Sequence, residues 1–559
     1  MIRETDFLSL KSRKAVLKEV SANEYDLAII GGGVTGAGIA LDAASRGLKV
    51  VLLEKNDFAS GTSSKSTKLI HGGLRYLKQL EIGLVRNTGT ERAVLHRLAP
   101  HMVKPEKMLL PLIKNGTYGK MSASFGLWVY DLVAGVTGDD RRKMLGPKAT
   151  KETEPMLDEE NLLGSGVYAE YRTDDARLTI ELIKTATRYG ATCLNYFHVE
   201  DFLNENSQVV GVTGKDLYEE KKVAIKAKFV VSAAGPWVDT IRKKNNSIND
   251  KTLRLTKGTH IVVDKSDFPL KQSVYFDVPD GRMIFAIPRG KVTYIGTTDT
   301  DYKEDIDKVE ATSADAHYLV DSVNATFPSL NLSVKDIKSS WSGLRPLIHQ
   351  QGKSPSEISR KDEVFQAEDG LISIAGGKLT GYRTMAKKIV DLVISKYDET
   401  KKFKKCETKS IPLLERPLSG VAEVNQYTLQ IAERLKKGGI EDSDYYADYL
   451  VSNYGTSADQ IVSKGVLAMT ESSLIIKELE YSVDNEMVAS SCDFFIRRTG
   501  RLYFDIDSVI QFKEAVNKDL CRQLDWSESK KAADMADLEA AIKSALSFRV
   551  EEQENEFSI

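Results

Sequence analysis

The sequence predicts an α/β protein of three parts: a strand–helix–strand unit near the N-terminus, an antiparallel sheet interleaved with it, and a helical C-terminal region. Three observations carry this. The stretch YDLAIIGGGVTGAGIALDAASRGLKVVLLEK, residues 25–55, passes from a short apolar run through a glycine cluster into helical spacing, then into a second apolar, β-rich run. Between residues 259 and 299, THIVVD, RMIFAIP and KVTYIGTTD read as strands of a mostly antiparallel sheet. From about residue 411, VNQYTLQIAERLKKGG, YYADYLVSNYG and KKAADMADLEAAIKSALSF carry helical periodicity with few strands.

A length of 559 residues exceeds one ordinary core. The expected division is a leader at 1–24, a nucleotide-binding domain with an interleaved substrate domain at 25–410, and a separate helical domain at 411–559. The charged stretch 394–410 is the connection. Within the first part, residues 178–191 read as a helix with a glycine stop, and 226–235 as a buried strand entering a turn. A net charge of −2 points to no nucleic-acid partner. Cys193, Cys406, Cys492 and Cys521 are widely spaced, without a CxxC pair, which argues against a zinc site or disulfide framework and fits a reducing cytosol. No metal site is expected. The N-terminal residues lack the apolar segment of a signal peptide. No apolar run reaches the about 18 residues a membrane-spanning helix needs. Residues 125–136, FGLWVYDLVAGV, read as a core helix, with a patch dipping into a membrane surface as the alternative.

Gly31-x-Gly33-x-x-Gly36 follows a strand and opens a helix. The first glycine permits the tight turn, the second lets a pyrophosphate approach the backbone, and the third lets the helix pack on the strand. The helix start then offers free N–H groups and partial positive charge. Glu54 ends the second strand, 18 residues after Gly36, where a carboxylate accepts ribose hydroxyls and disfavours a 2′-phosphate. This is a Rossmann-like dinucleotide site. The long Ser- and Gly-rich stretch FASGTSSKSTKLIHGGLRYL, residues 58–77, favours FAD over NAD, because a loop of that length can run along a flavin.

The blocks IIGGGVTGAGIALDAASRGLKVVLLEK, GTSSKSTKLIHGGLRYL, YRTDDARL, AAGPWVD, TKGTHIVV, GTTDTDY, SGLRPL and AGGKLTGYR occur in that order. Together they resemble the FAD-dependent glycerol-3-phosphate dehydrogenase/oxidase family over residues 25–383, with a weaker helical match beyond. The resemblance implies the DAO-superfamily fold: a Rossmann-like FAD domain, an antiparallel-sheet substrate domain and a helical C-terminal domain. It also implies non-covalent FAD, oxidation of sn-glycerol 3-phosphate to dihydroxyacetone phosphate, and peripheral contact with the cytoplasmic membrane face. A homodimer is the expected assembly. Cofactor contacts are expected at Gly31, Gly33, Val34, Thr35, Gly36, Glu54, Lys55, Thr62, Ser63 and Ser64. Further contacts are expected at Val199, Ala234 and Gly235, and at Gly343, Leu379 and Thr380.

A phosphorylated alcohol asks for fixed cations, and arginine offers a bidentate fork. Arg75, Arg345 and Lys378 sit in separate blocks beside glycines or a proline, and the resemblance places all three at the substrate pocket. Tyr76 is a candidate hydrogen-bond donor to substrate. A base with a pKa near working pH is best served by histidine. Among His71, His260 and His349, the family match puts His260 in the pocket and makes it the first choice; the alternative is a satisfied strand histidine. Arg345 is also a candidate to stabilise a developing alkoxide. The expected electron acceptor is membrane quinone, because the SGLRPL and GGKLT blocks are separated by only a short segment, without the insertion tied to oxidases. An oxidase passing electrons to O2 and a non-catalytic FAD-binding redox sensor are the alternatives.

Overall fold

The computed structural model describes residues 8–71, 82–114, 116, 126–127, 129, 141–248, 251–278, 280–349, 361–398, 400–462 and 469–550. Arg75, Tyr76 and most of 125–136 lie outside the described residues.

Strands Glu24–Ile30 and Val50–Leu53 pair in parallel, as the two apolar runs around the glycine turn require. Val50–Leu53 is buried throughout, which is why it reads as a continuous apolar run rather than an alternating one. On the other side of Glu24–Ile30, strand Lys221–Ser232 pairs in parallel, and Ile372–Gly376 continues the order. Among the described residues the sheet has eight strands, including the antiparallel hairpin Phe197–Glu205 and Gln208–Asp216. Helices Val34–Ser45, Asp175–Arg188 and Tyr382–Ile394 pack together beside it. The helix Arg13–Ala22 is docked as well: Val16 and Val20 are buried, and the buried Arg13 pairs with Asp216 at 2.7 Å.

Among the described residues the second sheet has ten strands and is antiparallel apart from the contact of Ser273–Asp277 with Lys104–Ile113. Its long strand Leu253–Asp264 lies between Val292–Gly296 and Ile337–Ile348, antiparallel to both. That placement sets His260 opposite both Gly296 and Trp341, and Thr256 opposite Arg345.

The C-terminal helices divide in two. Val421–Gly438 and Ser443–Tyr454 build a cluster of their own around Val424, Leu435, Leu450 and Tyr454. Helices Glu471–Asn485, Ile506–Leu524 and Glu528–Leu546 instead share a core with the second sheet, where Leu479, Val509 and Leu538 join Val262, Tyr294 and Trp341. These three helices are thus sealed onto the substrate-side sheet by apolar burial, the largest favourable term in folding, so of the separate helical domain expected at 411–559 only the part around 421–454 keeps a core of its own.

His101 is fully buried, and among the described residues neither ring nitrogen has a hydrogen-bond partner. Burial first, then the positive Lys104, Arg177 and Lys184, push its pKa down to about 3. The folded protein keeps this ring neutral, whereas the unfolded chain takes up a proton below about pH 6.5. Stability carried by His101 is therefore present above that pH and lost as pH falls, by about 2 kcal/mol at pH 5. His101→Leu should flatten the fall in denaturation midpoint between neutral pH and pH ~5; an unchanged slope would show that His101 contributes none of it.

Candidate active site

The turn after Ile30 decides the cofactor end. Gly31 has φ +114°, and a Cβ there would sit 2.6 Å from the Ala233 carbonyl oxygen, so no other residue fits. At Gly36 a Cβ would overlap the Gly31 carbonyl oxygen, so the third glycine serves helix-to-turn packing. Gly33 stands immediately before helix Val34–Ser45, and the Val34 N–H donates to Ser63 Oγ at 3.0 Å. Ser63 thereby ties residues 62–67 to the helix start.

A cavity of about 330 Å³ opens from this turn. Gly31, Gly33, Val34, Thr35, Glu54 and Lys55 line its first part. Thr62, Ser63, Val199, Ala234 and Gly235 line it further along, as do Gly343, Leu379 and Thr380. Gly36 and Ser64, also expected at the cofactor, are not among the residues that line it. Ser64 Oγ donates to the Gly61 carbonyl at 3.4 Å, a loop contact of its own. His260, Arg345 and Lys378, far apart in sequence, line the same cavity. His71 also lines it, whereas His349 follows strand Ile337–Ile348 and does not.

The glycine turn, the helix start and an acidic residue on one wall fit a dinucleotide: pyrophosphate at the N-terminus of Val34–Ser45, ribose at Glu54. The Glu54 carboxylate accepts the Gly32 N–H at 2.6 Å and the Asn56 N–H at 2.9 Å. Burial pushes its pKa up, while these two N–H groups favour the charged form. Glu54→Ala should weaken FAD binding by about 10- to 100-fold, the range of a lost charge-assisted hydrogen bond. Flavin reduction in protein still holding FAD should be spared. Titration of FAD into apoprotein, followed by flavin fluorescence, measures this; normal affinity would remove Glu54 from the ribose position.

At the other end the register supplies the geometry. His260 is 1% exposed, stacks on Trp341 at 4.7 Å between ring centroids, and has Nε2 3.0 Å from Thr67 Oγ1. Burial, then the charges of Arg345 and Lys68, hold its pKa well below the usual histidine value, so the ring is neutral but a weaker base than the pKa near working pH expected from the sequence. Arg345 donates to the Thr298 carbonyl at 3.2 Å, to Asp299 Oδ1 at 3.1 Å and to Thr297 Oγ1 at 2.9 Å. A Cβ at Gly258 would overlap the Arg345 guanidinium, and one at Gly296 would overlap the His260 ring. These two glycines, which sequence reasoning missed, clear the space for both side chains. Nothing in the local pattern marks them, because their neighbours lie on other strands.

Sequence reasoning also missed Lys65 and Thr67, which line the cavity. Lys65 is pushed down to about 8, by burial and then by the charge of Arg497. Its Cβ lies 2.7 Å from where a Cβ on Gly343 would fall, so the backbone of 62–67 is pressed against strand Ile337–Ile348. The Thr62 hydroxyl donates to the Leu344 carbonyl at 2.7 Å, closing the same contact.

A nucleotide cradle and a cluster of charged groups in one continuous cavity define the class as a nucleotide-dependent oxidoreductase. The model of the family described as FAD dependent oxidoreductase matches residues 26–383, and that of the C-terminal domain of alpha-glycerophosphate oxidase matches residues 406–531. The aerobic glycerol-3-phosphate dehydrogenase of Bacillus subtilis is 49% identical over 533 residues, covering 94% of this chain and 96% of that protein. The enzyme of that name from Staphylococcus aureus (strain USA300) is 48% identical, over 96% of this chain and 98% of its own. The crystal structure of the glycerol-3-phosphate dehydrogenase from Bacillus halodurans complexed with FAD superposes with a TM-score of 0.82 at 43% identity, covering 97% of this chain and 100% of that one. The chain belongs to the FAD-dependent glycerol-3-phosphate dehydrogenase family.

Proposed function

We propose that the protein oxidises sn-glycerol 3-phosphate to dihydroxyacetone phosphate with non-covalent FAD and passes the electrons to a membrane quinone. The observation that carries this reading is the meeting of His260, Arg345 and Lys378 in the cavity that begins at the dinucleotide turn. Bound FAD supplies the two-electron acceptor. Arg345 and Lys378 bind the anionic substrate, and the HGGLRYL motif adds Arg75 and Tyr76 from sequence alone. The Asp299 and Thr297 contacts fix the Arg345 guanidinium plane, so the group is oriented before substrate arrives. The hydroxyl proton is assigned to His260, which Thr67 and Trp341 hold in one orientation; a bound substrate dianion offsets the Arg345 and Lys68 charges that hold its pKa down. Gly31, Gly33, Val34, Thr35 and Glu54 hold the dinucleotide end, with Thr62 and Ser63 along its length.

Quinone as acceptor is supported by the relatives at 47–49% identity, which are named dehydrogenases. The oxidase reading has its own support in the match of residues 406–531 to a glycerophosphate oxidase domain. Among the described residues no helix is long and apolar enough to cross a membrane, and the contact proposed is peripheral. A homodimer is proposed as the assembly. The decisive experiment is anaerobic reduction by glycerol 3-phosphate, followed by rapid mixing with O2 or a short-chain quinone. Bleaching by substrate and faster reoxidation by quinone are expected. Faster reoxidation by O2 would establish the oxidase instead, and absence of bleaching would overturn the activity itself. Acid precipitation should leave the flavin in the supernatant.

A further inference from the structure

A second cavity, of about 120 Å³, takes no part in the site above. It lies where strands Lys104–Ile113, Leu162–Arg172 and Met283–Arg289 meet helix Ser443–Tyr454 and the segment 499–505. Four cations line it: Lys104, Arg172, Arg289 and Arg501. Three carboxylates line it too, and each is already engaged. Asp174 takes Arg289 Nη2 at 3.1 Å and the Arg177 N–H at 3.2 Å, Asp448 takes Lys104 Nζ at 2.7 Å, and Asp505 lies 3.5 Å from Arg501 Nη1.

What is left over is donors. Arg289 Nη1, Arg501 Nε and Thr173 Oγ1, all on residues lining this cavity, are buried without a hydrogen-bond partner among the described residues. Buried polar groups in native proteins are nearly always paired. A guanidinium N–H can only donate, so the missing partner is an acceptor. Lys104, Arg172, Arg289 and Arg501 already pair with Asp448, Glu106, Asp174 and Glu478, so the case rests on the leftover guanidinium donors, whose geometry tetrahedral oxyanions match. We propose that this cavity is a second ligand site, for a small phosphate-bearing anion, set between the antiparallel sheet and the C-terminal helices.

The site is connected to the first cavity through ion pairs. Asp174 is shared by Arg289 and Lys68, the latter at 3.6 Å. Lys68 also donates to Asp175 at 2.5 Å and to the Ser64 carbonyl at 3.2 Å, and Asp175 accepts the Ser66 N–H at 2.9 Å. Ser66 and Thr67 line the first cavity, and Thr67 holds His260. An anion that draws Arg289 from Asp174 changes the charge balance beneath this segment, and by linkage whatever fills the first cavity changes affinity at the second.

Equilibrium dialysis of the FAD-loaded protein against labelled inorganic phosphate tests the site, using wild type, Arg345→Met and Arg289→Met. Flavin absorbance reports occupancy of the first cavity, whether or not the proposed activity is correct. The expected result is phosphate binding that persists in Arg345→Met without a flavin spectral change and is weakened about tenfold or more in Arg289→Met, whose FAD content is retained. Thr173→Val, which deletes only the unpartnered hydroxyl, serves if Arg289→Met does not fold, and should weaken binding several-fold. Repeating the measurement with 3-phosphoglycerate separates the sources: tighter binding assigns a phosphomonoester, weaker binding assigns inorganic phosphate. Phosphate binding that disappears in Arg345→Met, or survives unchanged in a folded Arg289→Met or Thr173→Val, would overturn the proposal and leave the cavity to water.

Discussion

Arg345→Met should lower the efficiency of glycerol 3-phosphate oxidation by about 10²-fold or more while FAD stays bound. The side chain is partly buried, its plane is set by Asp299 and Thr297, and Gly258 leaves it room on the neighbouring strand. Arg345→Lys should be nearly as harmful, because a single ammonium cannot keep the contacts to Thr298, Asp299 and Thr297 while also gripping substrate. In the role proposed for Arg345, at the reacting oxygen as well as the phosphate, the loss appears in the rate of flavin reduction and in substrate affinity. Lys378→Met separates the two contributions. A residue that grips only phosphate loses its advantage with glycerol, whereas one acting on the hydroxyl still matters. Anaerobic flavin reduction by both substrates, in wild type and the variants, reads this out. Wild-type reduction rates in Arg345→Met with bound FAD would exclude it from the site.

Asp57→Ala should be among the most destabilising single changes in the protein. Asp57 is 1% exposed and takes a bidentate pair from Arg498, at 2.7 and 2.8 Å, together with Arg497 Nε and Asn195 Nδ2. Burial alone would raise its pKa; Arg498 and Arg497 reverse that and hold it at about 2. The stability it carries is therefore complete above the unfolded value near 4 and lost only as pH falls toward about 2. Removing the carboxylate leaves two buried guanidinium groups without this counter-ion, a change of about 3–5 kcal/mol. Asp57 is three residues beyond Glu54, so the melt and the loss of flavin should move together. Asp57→Asn keeps an acceptor without the charge and should fall between Ala and wild type. Thermal melts followed by flavin fluorescence and by far-UV circular dichroism test this; coincidence of the Asp57→Ala melt with wild type would show that the pair contributes nothing net.

Short-range signals made much of the fold and the cofactor end legible. The two parallel strands, the helix between them and the need for glycine at Gly31 and Gly36 follow from neighbours within about 30 residues, the span of one βαβ unit, although Gly36 clears the Gly31 carbonyl rather than the strand. The same holds for the antiparallel runs near His260 and for the C-terminal helices, whose apolar spacing is local. Individual chemistry was also legible: a histidine and two cations embedded among glycines and a proline mark residues pressed against something. Arg75 and Tyr76 lie outside the described residues, and their part in the site rests on the motif.

Only the tertiary structure decided which of these groups meet, and what holds them. The pairing of Leu253–Asp264 with two other strands sets His260 against Gly296 and Trp341, and Gly258 against Gly343 beside Arg345. Register across a sheet depends on both partners and on which faces are buried, so no single run specifies it. Gly258 and Gly296 look ordinary in sequence because what they make room for is on another strand. The clamp of Arg498 on Asp57 joins residues 441 positions apart, and the C-terminal helices share a core with a sheet that begins far upstream. Amphipathic spacing shows that a helix has a face to bury but not what will cover it. That is settled by packing of the whole chain, where an apolar face and a buried charge each find the partner that the fold, rather than the neighbouring sequence, brings to them.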